Sequence, residues 1–282
     1  MQISNKYDTQ LHIKKLNTVF KKHFSSDFRF NGEAHDFWEC LYVIDGDVQV
    51  SADERVYALT TGDIIFHKPM ELHKFSVTNN NGATLFIFSF PMEGKLSDFF
   101  KNSVYALNHE QQHIISDLVN YLETKTAKYE ENNRVDDFKR FLLPAKDSCL
   151  YLQRAVCYIY LLFLSIADNS TSSAHSIKTP ETELFKVSVR FMQKNVSEKL
   201  SVNDIAKHCG ISVSGLKRTF AKFAGISVHK YFLNLKLNAA TSLLRSGKTV
   251  SEVTDILNFS SQSYFSAAFK REIGLPPSKF KN

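Results

Sequence analysis

Ser201-Val-Asn-Asp-Ile-Ala-Lys-His-Cys-Gly-Ile-Ser-Val-Ser-Gly-Leu-Lys-Arg-Thr-Phe220 decides the fold of the last third of this 282-residue chain, because the pattern occurs twice. The second copy reads Thr249-Val-Ser-Glu-Val-Thr-Asp-Ile-Leu-Asn-Phe-Ser-Ser-Gln-Ser-Tyr-Phe-Ser-Ala-Ala-Phe269. Equivalent positions lie 48 residues apart up to the turn and 49 residues apart after it. One unit is therefore repeated, with one extra residue in the turn of the second copy.

Each copy has the pattern of two short helices joined by a tight turn. Ser201 and Thr249 are hydroxyl residues with an acid three positions later, the capping-box pattern that begins a helix. Gly210 and Asn258 stand where that helix must end, and both residue types tolerate the left-handed conformation that closes a helix. The unit is predicted to be a helix-turn-helix, whose second helix enters the major groove of DNA. An ordinary pair of helical hairpins is the alternative.

The distribution of charge favours the DNA-binding interpretation. Residues 181–282 contain 16 Lys and Arg against 7 Asp and Glu, a net charge of +9. Residues 1–179 contain 19 Lys and Arg against 22 Asp and Glu, a net charge of −3. A basic segment behind a slightly acidic one is typical of phosphate binding.

A dense motif fills the end of the chain. It reads Val250-x-Glu-Val-x-x-x-Leu-Asn-Phe-x-Ser-x-Ser-Tyr-Phe-Ser-x-x-Phe-Lys-Arg-x-x-Gly-x-x-Pro-Ser-x-Phe-Lys281, after an upstream Leu200-Ser-x-x-x-Ile-Ala206. These residues resemble the AraC/XylS family of bacterial transcription regulators over about a hundred positions. The sequence departs from the family pattern at three positions: Asn258 replaces a glycine, Thr254 an alanine and Lys236 an arginine.

Helix geometry assigns an outward face to each second helix. Leu216 and Phe220 lie four residues apart and are predicted to face the core, as are Phe265 and Phe269. The opposite face of each helix is therefore predicted to point outward. The predicted DNA-binding side chains are Ser214, Lys217, Arg218, Lys222, Gln262, Ser263, Ser266 and Lys270. A connecting helix over residues 228–244 would set the two reading helices about one DNA turn, ~34 Å, apart.

Guanine edges are the expected target of Lys217 and Arg218, unless one of the two holds a phosphate instead. Gln262 is suited to adenine, and Lys270 is expected to hold the DNA backbone. Ala267 stands where the family often has a large polar or basic side chain, so we expect the second helix to specify less.

Composition limits the class of protein. The length favours two domains, and 43% hydrophobic residues are enough for packed cores. The four cysteines (Cys40, Cys149, Cys157 and Cys209) have neither metal-ligand nor disulfide spacing and are expected to be reduced thiols. The N-terminus lacks a signal-peptide pattern, and the longest apolar run, residues 155–164, is shorter than the ~20 residues of a membrane span. A cytoplasmic protein without a membrane partner is expected.

Residues 37–90 have the pattern of short strands separated by turns. Phe37–Ile44 leads into Asp45-Gly46, a strong hairpin signal, and Asn79–Gly82 marks another turn. Such strands favour a β-barrel or sandwich of the jelly-roll type. The segment resembles a cupin, the usual sensor half of sugar-type AraC regulators, through His35-x-x-x-Glu39-x6-Gly46 and through Gly62-Asp63 followed by Pro69 and His73. The predicted fold class is α+β: a cupin-like barrel with following helices, then an all-α domain of two helix-turn-helix motifs.

The same cupin motif raises the possibility of a metal. Metal-binding cupins have a histidine where this chain has Glu33, and the spacing around Pro69 differs. A site of Glu33, His35, Glu39 and His73 for Fe, Mn or Zn is therefore conceivable. The alternative, which we expect, is that no metal or other cofactor is bound and that His35 and Glu39 are rim and strand residues.

A small barrel of this kind can hold one small ligand. The predicted effector-binding side chains are His35, Trp38, Glu39, Tyr42, His67 and His73. A single tryptophan beside polar groups suits a sugar, although any one of these aromatic residues is also a good core residue. Strand alternation puts Trp38 and Tyr42 on one face and Phe37 and Glu39 on the other, and the sequence leaves open which face looks inward.

Residues 109–167 are predicted to be helical, with breaks at Glu130–Arg134 and Pro144. Leu152–Ile166 is apolar almost all round and is expected to be buried. These helices either form a dimer or cover the barrel. The predicted domains are 1–105 (effector binding), 106–168 (helical dimerisation region), 169–180 (flexible linker) and 181–282 (DNA binding).

These observations predict a non-enzymatic regulator, an activator by family resemblance, that binds promoter DNA as a homodimer and acts with RNA polymerase. A small sugar-like effector in the barrel is expected to control it. Two alternatives stay open: a metal-dependent cupin enzyme with an accessory DNA-binding domain, and a constitutive regulator without a ligand.

Overall fold

The computed structural model describes residues 9–130, 148–169 and 176–280. Its N-terminal part is rich in strands and its C-terminal part is helical, which confirms the predicted α+β class. The strands are β1 (His12–Ile13), β2 (Thr18–Phe24), β3 (Trp38–Asp45), β4 (Asp47–Ala52), β5 (Arg55–Thr60), β6 (Asp63–His67), β7 (His73–Val77), β8 (Ala83–Phe90), β9 (Met92–Glu93) and β10 (Val104–Ala106). The helices are α1 (Ser97–Phe100), α2 (His109–Glu130), α3 (Ser148–Asn169), α4 (Pro180–Lys194), α5 (Val202–His208), α6 (Val213–Phe223), α7 (Val228–Arg245), α8 (Val250–Ile256) and α9 (Gln262–Ile273), followed by a 3₁₀ turn at Pro277–Lys279.

Two antiparallel sheets form the barrel. A five-stranded sheet has the order β10-β6-β3-β8-β2, and a three-stranded sheet has the order β5-β4-β7. The tight turns fall where the sequence predicts them, because Gly46 and Gly82 both adopt positive φ (91° and 87°), which glycine reaches without steric cost. The segment 28–35 runs beside β7 as an irregular fourth strand, since Phe30 N–H donates to the Phe75 carbonyl and Glu33 exchanges two backbone hydrogen bonds with His73.

Both faces of the five-stranded sheet are buried. The inner face packs against the small sheet through residues such as Leu41, Val43 and Ile87. The outer face packs against α2 and α3 through an aromatic layer that includes Phe88 and Phe163, whose ring centroids lie 6.3 Å apart. A strand buried on both faces reads as continuously apolar, so its pattern does not distinguish inside from outside.

Helix α3 covers the outer sheet face with only one side. Leu162 and Phe163 are fully buried, whereas Leu150, Leu161 and Leu164 are 81%, 54% and 45% exposed. The expectation that Leu152–Ile166 is buried all round is therefore wrong. Judged by length and composition alone, Cys149–Asn169 is the one described helix that could span a membrane, a test that the core helix of a soluble protein also passes. The predicted breaks between 131 and 147 lie outside the described residues.

The C-terminal helices form two similar units. Ser201 and Thr249 make complete capping boxes with Asp204 and Glu252, and begin α5 and α8. A serine caps each second helix, Ser212 for α6 and Ser261 for α9. The predicted pair of helix-turn-helix units, with α7 between them, is confirmed.

Little of the predicted linker falls among the described residues. Ile177 N–H donates to the Val56 carbonyl on β5 at 2.7 Å, so the chain is fastened to the barrel just before the helical part begins. Thr179 then caps α4, which begins at Pro180. Residues 170–175 lie outside the described part of the chain.

Candidate functional site

The second helix of the first unit, α6, presents its predicted side chains to solvent. Leu216 and Phe220 are fully buried on the inner face of α6. The outer face carries Ser214, Lys217, Arg218 and Lys222, all exposed. Lys222 forms an ion pair with Glu181 on α4, so its ammonium group is engaged within the protein. Lys217 and Arg218 have no ion pair among the described residues, and both are placed to meet a phosphate or a base edge.

The second unit has the same geometry and a different chemistry. Phe265 and Phe269 are fully buried on the inner face of α9, as predicted. Gln262, Ser263 and Lys270 are exposed, and Ser266 is half-buried. The outer face of α9 therefore offers hydroxyl and amide groups near its start and positive charge only near its end, where Lys270 and Arg271 lie in the last turn.

The turns of the two units are held by different residues in the same conformation. Gly210 has φ 66° and Asn258 has φ 52°, both in the left-handed region. Asparagine is among the few side-chain-bearing residues that adopt this conformation at modest cost. The replacement of the family's glycine by Asn258 therefore preserves the turn.

The two other departures from the family pattern are also accommodated. The Thr254 hydroxyl donates to the Val250 carbonyl at 2.8 Å, so its polar group is satisfied although the residue is buried. Lys236 is buried and donates to the Leu257 carbonyl at 2.5 Å, where α8 ends. Burial lowers the pKa of Lys236 to about 8. This lysine ties the connecting helix α7 to the second unit.

The barrel contains a cavity of about 220 Å³ at the open edge between its sheets. Most of its lining is aromatic, and polar groups are gathered at one end. The lining residues are Thr18, Phe20, Phe24, Phe28, Phe30, Glu33, His35, Phe37, Glu39, Phe75 and Ile87. The phenylalanines between residues 20 and 30 were not among the side chains predicted to bind the effector. Their alternation at Phe28 and Phe30 is the signal that would have indicated an extra strand along the cavity.

Four ionisable side chains meet at the polar end of this cavity. Nε2 of His73 lies 3.3 Å from Oε1 of Glu39 and 3.7 Å from Oε1 of Glu33. Nε2 of His35 lies 3.6 Å from Oε2 of Glu39 and 3.9 Å from Oε1 of Glu33. One possible ligand atom from each of the four residues lies within 4.8 Å of the others. The sequence-predicted residues His35, Glu39 and His73 are thus brought together, and the conceivable metal set is assembled with Glu33 included.

The imidazoles and carboxylates of this cluster shift one another's pKa values. Burial disfavours the protonated imidazole of His73, but the carboxylates of Glu33 and Glu39 outweigh burial and raise the pKa of His73 to about 10. Burial also disfavours the Glu39 carboxylate, yet the neighbouring His35 and His73 hold the pKa of Glu39 far below its usual range. The cluster therefore keeps the Glu39 carboxylate ionised and attracts positive charge.

His67 lies beside the cluster and belongs to a second network. Its ring stacks on that of His73 with centroids 4.2 Å apart, and its Nδ1 lies 2.6 Å from Oε1 of Glu71. Lys68 donates to both Glu71 and Asp53, at 2.9 and 2.7 Å. Burial and the Glu71 charge raise the pKa of Asp53 to about 6. His67 is fully buried and supports His73 from behind; it is not among the residues that line the cavity.

Trp38 and Tyr42 lie on the opposite face of β3. Both are buried in the layer between the five-stranded sheet and helices α2 and α3, whereas Glu39 on the same strand points into the cavity. The prediction that Trp38 and Tyr42 bind the effector is corrected on this point, because successive side chains of a strand face opposite sides. They are core residues.

The sensor barrel and the first helix-turn-helix unit share a packed interface. Val56 and Leu72 of the barrel belong to the same hydrophobic cluster as Phe220 and Phe223 of α6. Lys74 on β7 donates through Nζ to the carbonyls of Ala221 and Lys222 at the end of α6, at 3.2 and 2.9 Å. The edge of the barrel next to the cavity therefore touches the end of the first reading helix.

The backbone of the segment 28–35 also approaches this helix end. Gly225, with φ 71°, follows α6 so closely that a Cβ atom at this position would lie 2.2 Å from the carbonyl oxygen of Asn31. A Cβ atom at Gly32 would lie 3.2 Å from the carbonyl oxygen of Ala224. Residues adjacent to Glu33 and His35 are thus in direct contact with the DNA-binding half.

Comparison with known proteins identifies both halves. Residues 23–137 match the model of the AraC-like ligand binding domain, and residues 205–282 match that of a helix-turn-helix domain. The uncharacterized HTH-type transcriptional regulator YfiF of Bacillus subtilis is 27% identical over 88% of this chain and 77% of its own length. The raffinose operon transcriptional regulatory protein RafR of Pediococcus pentosaceus is 30% identical over 44% of this chain and 45% of its own length.

Solved structures to which this chain is similar include ToxT from Vibrio cholerae. It aligns with 96% of each chain at 13% identity and a TM-score of 0.38. An AraC-type DNA-binding domain from Chromobacterium violaceum covers 35% of this chain and 88% of its own, at 31% identity and a TM-score of 0.34. With both family models matching in their expected order along most of its length, the chain belongs to the AraC/XylS family of transcription regulators.

Proposed function

We propose that this regulator reads promoter DNA with α6 and α9 together and that a small molecule in the barrel cavity changes how it binds. The observation that carries the proposal is the contact between the cavity edge and α6: Lys74 and the Asn31–Gly32 backbone touch the end of that helix. A ligand that moves the segment 28–35 acts on α6 directly. In this account Lys217 and Arg218 supply most of the base choice, and Gln262 with Ser263 supplies less.

The lining of the cavity supports one class of effector. Six phenylalanine rings make up most of the lining and two carboxylates and one imidazole its polar end, so the favoured ligand has an apolar body and one polar or positively charged end. The sugar-like effector expected from the sequence stays a prediction. A sugar would find its hydrogen-bond partners at Thr18, Glu33, His35 and Glu39 only.

Dimer formation is proposed to use the uncovered side of α3. Leu150, Cys157, Leu161 and Leu164 are exposed and recur with spacings of seven, four and three residues, which puts them on one stripe. Self-complementary stripes of this kind pair two copies about a twofold axis. Replacing Leu161 and Leu164 together by Glu is expected to convert a dimer into a monomer in sedimentation. A dimer that persists would assign the interface elsewhere.

Activation through RNA polymerase at a cytoplasmic promoter is the family's usual mode, and it is proposed here on that resemblance. The enzyme alternative would need a substrate as well as a metal. The constitutive alternative predicts that no compound binds the barrel.

Two experiments with the full-length chain test the proposal. Selection from a random duplex library is expected to yield one sequence motif, bound with an affinity that falls steeply as salt rises. Thermal melts against metabolites that have an apolar body and a polar end, with sugars included, are expected to find a stabilising compound. Failure to select any motif would contradict DNA reading, whereas selection without any stabilising compound would favour the constitutive alternative.

A further inference from the structure

The cluster of Glu33, His35, Glu39 and His73 has an unusual hydrogen-bond pattern. His35 and His73 both point Nε2 toward the carboxylates, both Nε2 atoms are buried, and neither has a hydrogen-bond partner. Most buried polar atoms in proteins are paired. Both imidazole nitrogens are buried without a hydrogen bond and lie 3.3–3.9 Å from the carboxylate oxygens, so the four side chains are placed to ligate one ion.

The Nδ1 atoms of His35 and His73 indicate what kind of atom their Nε2 atoms can bind. Nδ1 of His35 lies 3.0 Å from the Phe37 carbonyl oxygen, and Nδ1 of His73 lies 3.1 Å from the Glu71 carbonyl oxygen. A carbonyl only accepts, so the proton shared with it sits on each Nδ1, and Nε2 is the ring atom that faces the carboxylates and is left to ligate an ion. Imidazoles that ligate metals usually donate their other N–H to a carbonyl or carboxylate in this way.

The distances between donor atoms fit one metal ion. The four imidazole–carboxylate separations are 3.3, 3.6, 3.7 and 3.9 Å. Ligand atoms at ~2.1 Å from a tetrahedral ion lie about 3.4 Å from each other. A doubly charged ion would also neutralise the two carboxylates.

We propose that Glu33, His35, Glu39 and His73 bind a divalent first-row transition-metal ion, and that the ion fastens the segment 31–35 to β3 and β7. Two imidazoles and two carboxylates suit Zn²⁺, Fe²⁺ or Mn²⁺. Glu33 and His35 lie within four residues of Asn31 and Gly32, which contact Gly225 and Ala224 beyond α6. The ion thereby holds the part of the sensor that touches the first reading helix. This second step rests on the function proposed above, whereas the metal site does not.

Binding is tested with the full-length protein after treatment with a chelator. Titration with Co²⁺ is expected to give one ion per chain and a visible spectrum of nitrogen and oxygen ligands without a thiolate charge-transfer band. Zn²⁺ is expected to displace Co²⁺ and to raise the melting temperature. The proposed site would be overturned if Co²⁺ bound to the exposed Cys149 and Cys157 instead, or if no saturable binding were found.

Variants distinguish this site from adventitious binding. Glu33 is exposed and His35 is half-buried, so Glu33→Gln and His35→Gln are expected to fold. Each should weaken Co²⁺ binding at least about tenfold, the loss that can follow from removing only the hydrogen-bond partner of a metal ligand. His229→Gln, on the exposed side of α7, is the matched control and should bind like the wild type. Equal affinity in all three variants would refute the assignment.

The coupling to DNA is measured separately on the selected duplex. We expect chelation to change the affinity of the wild type by several-fold and to leave the affinity of Glu33→Gln unchanged. One bound ion with no effect of chelation on DNA affinity would contradict only the coupling. A wild-type protein that binds one ion but binds no DNA sequence specifically would contradict the proposed function. The metal site would still be supported.

Discussion

The two helix-turn-helix units have the same caps, turns and buried phenylalanines, but they differ in what surrounds them. The hydrophobic core of the first unit includes Val56 and Leu72 from the sensor barrel. The core of the second unit is built from residues 196–280 alone. Between the barrel and α9 lies a cavity of about 240 Å³, lined by Met70 on one side and Ile273 on the other. Among the described residues, α6 therefore shares a hydrophobic core with the sensor barrel, whereas α9 does not.

This difference explains how one ligand could alter DNA reading. In the proposed function both units meet the same duplex, so a shift of the first unit relative to the second would change whether both can bind at once. The two units are joined by α7, which Asn238 connects to the barrel through a 2.6 Å hydrogen bond to the Met70 carbonyl. We therefore expect changes at the sensor contact to affect the first unit, and equivalent changes in the second unit to have local effects.

The largest expected effect separates the two units at equivalent glycines. Gly225→Ala forces a Cβ atom against the Asn31 carbonyl, whereas Gly274→Ala meets no atom within 4 Å. Both glycines are left-handed, with φ 71° and 85°, so both variants lose about 1–2 kcal/mol for the backbone. Gly225→Ala is expected to lower the melting temperature clearly further and to alter DNA affinity. Equal melting temperatures would show that the contact between the halves is absent in solution.

The next effect concerns base choice. Arg218→Ala is expected to cost roughly 1–3 kcal/mol of DNA binding and to relax the preference at one position of the selected motif. Lys270→Ala, near the end of α9, is the matched control and should weaken binding on all sequences alike, because it is proposed to hold the backbone. A uniform loss in Arg218→Ala would reassign that residue to phosphate binding.

A smaller effect tests the turns. Asn258→Ala is expected to destabilise the second unit by about 1 kcal/mol, since alanine lacks the local hydrogen bonding that lets asparagine adopt positive φ. Gly210→Ala should give a loss of the same order in the first unit. Unfolding monitored by urea titration measures both. A stable Asn258→Ala variant would mean that the second turn relaxes to another conformation.

The smallest effect is a pH dependence of the capping boxes. Hydrogen bonds from the Thr249 backbone, aided by Lys248, lower the pKa of Glu252 to about 2. A carboxyl whose pKa is lower in the folded state stabilises the fold above its unfolded pKa near 4.5, and that contribution is lost as the pH falls toward 2. The melting-temperature difference between the wild type and Glu252→Gln should therefore shrink between pH 6 and pH 3. A difference that grows on acidification would contradict this.

The helical part of the fold could be predicted because the sequence patterns that begin and end its helices are local. A serine or threonine cap, an acid three residues later and a residue that tolerates positive φ each act within one or two turns of chain. The side chains predicted to bind DNA were placed by the same helix geometry. They are exposed as predicted, except for the half-buried Ser266, and Lys222 is exposed but forms an ion pair.

The cavity could be predicted only in part, because its geometry depends on contacts distant in sequence. Glu39 and His73 are brought together by the pairing of strands and of the segment 28–35, which no local pattern fixes. Trp38 and Glu39 are neighbours, yet one joins the core under the helices and the other the cavity. Nothing in a strand that is apolar on both faces indicates which side is which.

Footprinting on the selected duplex tests the central claim most directly. If α6 and α9 read one face of the same DNA, the wild type will protect two major-groove windows about one helical turn, ~10 bp, apart. Arg218→Ala will then weaken one window and Gln262→Ala the other. A single protected window, or two windows that respond alike to both substitutions, would contradict the account.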